Sequence, residues 1–133
     1  MDKNRPIFSP ALIMFSAVYM LIAILEAMRQ GNSEFVFYIV VMGVLITSLA
    51  LVHLRVNFSA GVLWGMSFWG LLHMAGGLIH MPESLTENGS QPVLYSWWLV
   101  RDWLKYDQVV HTYGFGITTW VCWQILRSNI RKQ

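Results

Sequence analysis

The sequence has little charge and almost no cysteine, and both shortages limit what the protein can be. Asp, Glu, Lys and Arg make up only 12% of its 133 residues, whereas soluble domains have roughly 25%. With Cys122 as the single cysteine, the chain can form neither an intrachain disulfide nor a CxxC metal site. The net charge of +2 and the lack of a basic run interleaved with aromatics argue against a nucleic-acid partner.

Apolar residues dominate what remains. The chain is 56% hydrophobic, with seven Trp and eight Met, a composition typical of a protein whose solvent is lipid. Four apolar runs have about the 20 residues that a helix needs to cross a bilayer core. We therefore predict an all-α fold, a single transmembrane domain over residues 1–133 that forms an integral membrane four-helix bundle. The predicted spans are 10–29, 34–53, 60–80 and 107–127.

The first run has two interpretations. Ser9 and Pro10 are typical of a helix start, with Ser as the cap and Pro at the first helical position. A basic start followed by an apolar stretch also fits a cleaved signal peptide. No A-x-A cleavage site follows, and Leu25 and Glu26 stand where small residues would be needed. An uncleaved first span is therefore the favoured interpretation.

Residues 92–105 separate the third and fourth runs and are rich in aromatic residues. Tyr95, Trp97, Trp98 and Trp103 are typical of the membrane–water interface, where amphipathic rings settle. The segment is too short and too charged to cross a bilayer. We predict a short interfacial helix before the last span.

The basic residues predict the orientation. Four spans put both termini on one side of the membrane, and the side richer in Lys and Arg is usually cytoplasmic. We therefore expect a multi-pass protein of the cell inner (plasma) membrane with cytoplasmic termini and an external connection before the last span. The side of the termini has six basic residues against three on the other: Lys3, Arg5, Arg55, Arg127, Arg131 and Lys132 against Arg29, Arg101 and Lys105.

A group of polar residues at the outer end of this bundle is the functional lead. Ionisable residues inside a membrane span are functional candidates by default. His73 and His80 are seven residues apart, close to two helical turns, and Asp107 precedes His111 by one turn, so each pair should share a helix face. His53 falls at the opposite end. The six residues expected in one layer are Glu26, Glu34, His73, His80, Asp107 and His111.

Histidines and carboxylates on facing helices suggest a metal site. The candidate ligands are His73, His111, Asp107, Glu34 and His80, with Glu26 as a secondary candidate, and zinc or iron would suit them. A metal-bound water would then act as a nucleophile on a membrane-adjacent substrate, with a spare carboxylate as base. No HExxH pair is present, and the sequence identifies neither a substrate nor a catalytic residue.

Three alternatives stay open. In the first, the polar cluster is a metal-free hydrogen-bond network, with Asp107 also capping the last helix. In the second, the protein is a non-enzymatic scaffold or accessory subunit. Its polar cluster would hold the helices together, and its GVLWG face (Gly61–Gly65) would dock a membrane-protein partner or a second copy. In the third, two histidines from the third and fourth helices hold a haem, although no Cys-x-x-Cys-His is present.

Two stretches resemble a known family. LHMAGGLIHMPE (Leu72–Glu83) followed by KYDQVVHTYGFG (Lys105–Gly116) resembles the paired signature of the YjdF-like family of small bacterial inner-membrane proteins. His73, Gly76, Gly77 and Pro82 match the first element. The second element is matched by Tyr106, Asp107, His111 and a glycine beside Phe115, and Glu34 resembles a Glu that starts an earlier helix.

The resemblance has a departure and a limited reach. The family's Tyr-x-Tyr stretch before Pro is missing, and His80 stands near its place. The resemblance implies an inner-membrane protein and supports Glu34, His73, Asp107 and His111 as site residues, but it supplies no reaction.

Overall fold

The computed structural model describes residues 8–31 and 33–130, without the side chains of Ser33 and Glu34. Within this part of the chain, four α-helices make the structure 78% helical, which confirms the all-α class. The helices lie close to the predicted runs, because long apolar segments without internal proline favour helix. They are α1 (Pro10–Gln30), α2 (Ser33–Val56), α3 (Ala60–Leu78) and α4 (Tyr106–Ile130).

Local residues define the ends of these helices. α1 begins at Pro10, as predicted, because proline fixes φ and lacks only an N–H that the first turn leaves unpaired. It ends at Gly31, whose φ of 63° is the left-handed conformation that glycine adopts without strain. α3 begins after Ser59, which accepts a hydrogen bond from the N–H of Val62 at 3.4 Å.

α3 lies between α1 and α4 and makes its most extensive helix contacts with them, while α2 packs mainly on α1. Polar side chains join α3 to both neighbours. The hydroxyls of Ser16 and Ser67 are 2.6 Å apart between α1 and α3. Between α3 and α4, Trp69 Nε1 donates to the carbonyl of Val110 at 3.2 Å. The position of α3 therefore determines how residues of α1 and α4 are arranged around any site at the end of the bundle.

Glycines allow α3 to approach its neighbours closely. A Cβ at Gly70 would come within 2.7 Å of the Tyr19 hydroxyl, and one at Gly61 within 2.8 Å of the Trp120 ring. Gly65 likewise faces Ile117 of α4. The two glycines of the GVLWG face thus pack against α4 of the same chain, and docking of a partner on this face stays a prediction.

The connection between α3 and α4, residues 79–105, is folded back on itself, and we call it the cap. It contains single-turn 3₁₀ helices at Glu83–Leu85 and Leu94–Ser96, followed by strands β1 (Trp98–Val100) and β2 (Leu104–Lys105). The two strands pair in antiparallel fashion. The predicted interfacial helix over residues 92–105 is therefore wrong.

Backbone pairing within the cap explains the absence of that helix. The N–H of Leu94 donates to the carbonyl of Ile79 at 2.8 Å, and the N–H of Met81 donates to that of Pro92 at 2.9 Å. Asp102 has a positive φ of 59° in the turn between the strands. These long-range bonds satisfy backbone groups that a local helix would otherwise pair.

Two of the described helices are long and apolar enough to cross a membrane. These are α1, with a mean hydropathy of 2.2, and the Phe35–Val56 part of α2, with a mean hydropathy of 2.6. Both lie near the N-terminus. α3 contains glycines, tryptophans and His73, and α4 contains several polar residues, which lowers the hydropathy of both.

Candidate functional site

Asp107 and His111 form a contact on the first turns of α4. His111 Nδ1 lies 2.8 Å from Asp107 Oδ1 and also 2.8 Å from the backbone carbonyl oxygen of Asp107. Because both neighbours are acceptors, Nδ1 must carry the proton, and Nε2 of the neutral ring is left with a free lone pair. The two side chains share a helix face, as their spacing predicts.

His73 lies across from this pair on α3. Its ring centroid is 5.9 Å from that of His111, 5.3 Å from that of Trp69 and 5.5 Å from that of Tyr95. Among the described residues, no group forms a hydrogen bond with the buried Nδ1 of His73. A buried polar atom without a partner is costly, so this nitrogen is the least satisfied group of the cluster.

Tyr95 and Tyr106 hold the cap and the start of α4 against this part of α3. The Tyr95 hydroxyl donates to the carbonyl of His73, and that of Tyr106 donates to the carbonyl of Leu72, each at 3.0 Å. Gly76 makes room for Tyr95, because a Cβ there would come within 2.6 Å of the Tyr95 ring. Burial raises the pKa of the Tyr95 phenol above its ordinary value, so the hydroxyl remains a donor at neutral pH.

Neither tyrosine was among the predicted site residues. Tyr106 adjoins Asp107, and this adjacency was a signal that could have found it. Tyr95 lies among three tryptophans in the sequence. Because this aromatic group was interpreted as an interfacial segment, the contact between Tyr95 and His73 was not predicted. Only the fold of the cap brings Tyr95 to His73.

His80 is not brought to His73. α3 ends at Leu78, with Ile79 as its C-cap, so His80 lies beyond the helix in extended backbone that pairs with Val93. Its side chain is exposed. The expectation that His73 and His80 share a helix face is wrong, because the helix ends before His80.

Glu26 is also engaged elsewhere. Its carboxylate accepts hydrogen bonds from Arg29 Nε at 2.8 Å and from Gln30 Nε2 at 2.8 Å. Glu26 and His80 line a groove between α1 and α3 that does not include His73. The described members of the predicted layer therefore fall into two separate groups.

The side chain of Glu34 lies outside the described residues. Its neighbour Phe35 packs on Gly77, where a Cβ would come within 2.7 Å of the Phe35 ring. The start of α2 therefore lies beside the last turn of α3. His53 is buried at the opposite end, where its Nδ1 accepts the N–H of Phe58 at 3.0 Å.

The described residues supply few ligands for a metal. Among the side chains of residues 8–31 and 35–130, no group of three or more His, Cys, Asp and Glu is placed to hold an ion. The closest approach to such a group is His73 and His111, with Asp107 behind His111. The rings of Trp69 and Tyr95 also lie beside His73, and a haem held by two histidines stays a prediction.

Comparison with known proteins adds no relative. No family model matches the chain, and searches of the curated proteins and of the solved structures find no significant match. The resemblance to the YjdF-like family therefore stays a prediction.

Proposed function

We propose that this chain is a multi-span inner-membrane protein that binds a divalent transition metal through His73 and His111 beneath its external cap. The membrane part is supported by the exposure of the apolar helices. Only 22% of the most apolar window of α1 and 11% of that of α2 is buried within the chain. The core helix of a soluble protein would be mostly buried.

α3 and α4 complete the four spans in this proposal. Their 19 and 25 residues correspond to about 28 and 38 Å of helix, close to or above the roughly 30 Å of a bilayer core. Large apolar side chains on α4 also point away from the bundle, including Phe115, which is 75% exposed, and Trp123, which is 57% exposed. Lipid would cover these surfaces.

The observation that carries the metal proposal is the orientation of His111 by Asp107 beside an unsatisfied His73. Histidines that bind metals usually donate their other ring N–H to a carboxylate or a carbonyl, which fixes the ring and raises its basicity. His111 Nδ1 meets both acceptors on Asp107, and its Nε2 is then available to an ion.

The separation of the two imidazoles suits one shared ion. A metal lies about 2.1 Å from a ligating nitrogen, and so about 3.2 Å from the ring centroid. Two rings on one ion thus have centroids at most about 6.5 Å apart, and His73 and His111 are 5.9 Å apart. Zinc or iron would fit two imidazoles, with Asp107 orienting His111 through its Nδ1 and Glu34 as a third ligand.

Positions left open by the protein would be available to water or to a substrate, as in catalytic metal sites. The cap closes one side of the site, whereas the His111 side chain remains 53% exposed. A substrate would therefore approach from the membrane–water interface at the His111 side. Metal-assisted hydrolysis or redox chemistry on a lipid-like substrate is the reaction class that such a position suits.

The test is elemental analysis of the full chain, purified in mild detergent without a metal-affinity column and then incubated with zinc or ferrous iron. About one ion per chain is expected in the wild type, with loss of the ion in His73→Ala and in His111→Ala. His80→Ala is the matched control, because His80 is exposed and outside the cluster, and it should retain the ion. Absence of metal from the wild type, or retention in both variants, would overturn the proposal.

A metal-free role as a scaffold or accessory subunit is the second candidate. It is favoured by the tyrosine bonds, since Tyr95 and Tyr106 already fasten the cap to α3 through backbone carbonyls without any ion. In that case the wild type would contain no metal, and a stoichiometric partner should co-purify with it. A chain that remains a monomer in mild detergent, with no partner, would count against this role.

A further inference from the structure

A groove lies between α1 and α3, on the opposite side of α3 from the His73–His111 pair, and we call it the α1–α3 groove. Its volume is about 530 Å³, within the range of about 300–1,000 Å³ of small-molecule sites. Its walls are apolar and include Ile22 of α1 and Leu71 and Leu78 of α3. Its charged groups lie at its outer end, where Glu26 and Arg29 line it together with His80.

At the charged end of the groove, protein groups use only some of the donors of Arg29 and only some of the acceptor positions of Glu26. Arg29 has five N–H donors, and Glu26 takes two of them, from Nε and Nη2. The Glu26 carboxylate has about four acceptor positions and receives three bonds, two from Arg29 and one from Gln30. One acceptor on Glu26 and three donors on Arg29 remain for a ligand.

The exposure of these groups makes them accessible. The Arg29 side chain is 72% exposed, and that of Glu26 is 31% exposed. His80 is also exposed and adds a further donor at the same end. An apolar groove that opens beside a cation and an anion matches the two parts of a phospholipid, namely its acyl chain and its zwitterionic headgroup.

We propose that the α1–α3 groove binds one phospholipid whose headgroup bears a primary amine, as in phosphatidylethanolamine. An acyl chain lies along Ile22, Leu71 and Leu78. The phosphate accepts hydrogen bonds from the free donors of Arg29 and from His80. The ammonium donates to the free position on Glu26, which a trimethylammonium group cannot do because it has no N–H.

This inference rests on the membrane-spanning part of the proposed function and is independent of its metal site. Because Glu26 and Arg29 lie in the last two turns of α1, they fall at the outer membrane surface in the proposed orientation. Phospholipid headgroups lie at that depth, and the groove runs from there toward the bilayer centre.

Native mass spectrometry of the full chain, titrated with lipids of identical acyl chains, tests the proposal. Phosphatidylethanolamine should bind more tightly than phosphatidylcholine or phosphatidylglycerol, by about tenfold for one charge-assisted hydrogen bond. Glu26→Gln should remove this preference, because a neutral amide does not attract the ammonium. Arg29→Gln should weaken the binding of all three lipids, because each carries a phosphate.

Arg101→Gln is the matched control. Arg101 is an exposed arginine 4.0 Å from the carboxylate of Asp102, in the cap and outside the groove, and its replacement should leave lipid binding unchanged. Equal binding of the three lipids by the wild type, or unchanged binding by Arg29→Gln, would overturn the inference.

A parallel measurement separates this failure from failure of the proposed function. Extraction of expressing cells with alkaline carbonate should leave the chain in the membrane pellet. A chain that pellets but shows no lipid preference overturns only the groove. A chain released as a soluble protein overturns both the groove and the membrane-spanning function.

Discussion

At the scale of single residues, glycines opposite aromatic rings determine how closely the helices approach. Gly114 of α4 is a clear example, because a Cβ there would come within 2.5 Å of Trp69 Nε1. That nitrogen donates to the carbonyl of Val110, and the Trp69 ring also contacts His73. The lack of a side chain at Gly114 therefore lets the Trp69 ring pack beside His73 in the candidate site.

Replacing Gly114 by alanine should destabilise the protein. The added methyl group would displace the Trp69 ring and weaken its hydrogen bond, and overpacking of this kind costs about 1–3 kcal/mol. Thermal unfolding in mild detergent should show a lower midpoint for Gly114→Ala.

The same helix provides the control. A Cβ at Gly116 would meet nothing within 4 Å, so Gly116→Ala should leave stability unchanged or raise it by up to about 1 kcal/mol through helix propensity. Equal effects of the two substitutions would mean that the Gly114–Trp69 contact does not limit packing.

At the scale of helices, a pair of serine hydroxyls joins α1 and α3 among apolar side chains. Ser16 and Ser67 are 2.6 Å apart, and both line an apolar cavity of about 390 Å³ between the first three helices. Water is scarce in such surroundings, so each hydroxyl depends on the other for a partner. The pair should therefore help to fix how α1 and α3 are aligned.

A double-mutant cycle with Ser16→Ala and Ser67→Ala measures this coupling. The interaction free energy should be about 0.6 kcal/mol and at most about 1.7 kcal/mol, the range found between membrane helices. Unfolding by sodium dodecyl sulfate gives the required stabilities.

Thr47 serves as the control for this cycle. Its hydroxyl bonds to the carbonyl of Gly43 within its own helix, so Thr47→Val should show no coupling to Ser16→Ala. A coupling near zero for Ser16 and Ser67 would mean that the two hydroxyls contribute independently.

The structure of the cap could not be predicted from local sequence patterns. Its aromatic residues are compatible with an interfacial helix, but the backbone of this segment pairs with residues 79–87 instead. Lys105 then meets the Glu87 carboxylate at 2.9 Å, 18 residues away along the chain. Contacts of such separation leave no periodic signal in the sequence.

At the scale of the whole molecule, the proposed orientation puts the cap outside the cell and the termini in the cytoplasm. Single cysteines in a Cys122→Ser background test this orientation. Asn88 lies in the cap and Asn129 near the end of α4, and both side chains are exposed. Asn88→Cys should react with a membrane-impermeant maleimide on spheroplasts, whereas Asn129→Cys should react only after lysis.

The reason for this expectation is the excess of basic residues on the side of the termini. The Cys122→Ser chain without added cysteine is the control for background labelling. The reverse labelling pattern would place the cap and the candidate site in the cytoplasm, although the two would stay together.

The sequence by itself determined the four helices to within a few residues. The signals for these helices are local, namely the long apolar runs, Pro10 at the start of α1 and Gly31 at its end. Such signals can be recognised without knowing which other segments the helix packs against. The contact between Asp107 and His111 is predictable for the same reason, since one helical turn separates them.

Only the tertiary structure decided which distant residues meet. It joined Tyr95 and His111 to His73, and it separated His80 and Glu26 from that site. These outcomes depend on where α3 ends and on how the cap pairs with itself, and both depend on hydrogen bonds between residues far apart in the chain. Helical periodicity places a residue on a face of its own helix, but the packing of the helices and the cap decides what that face contacts.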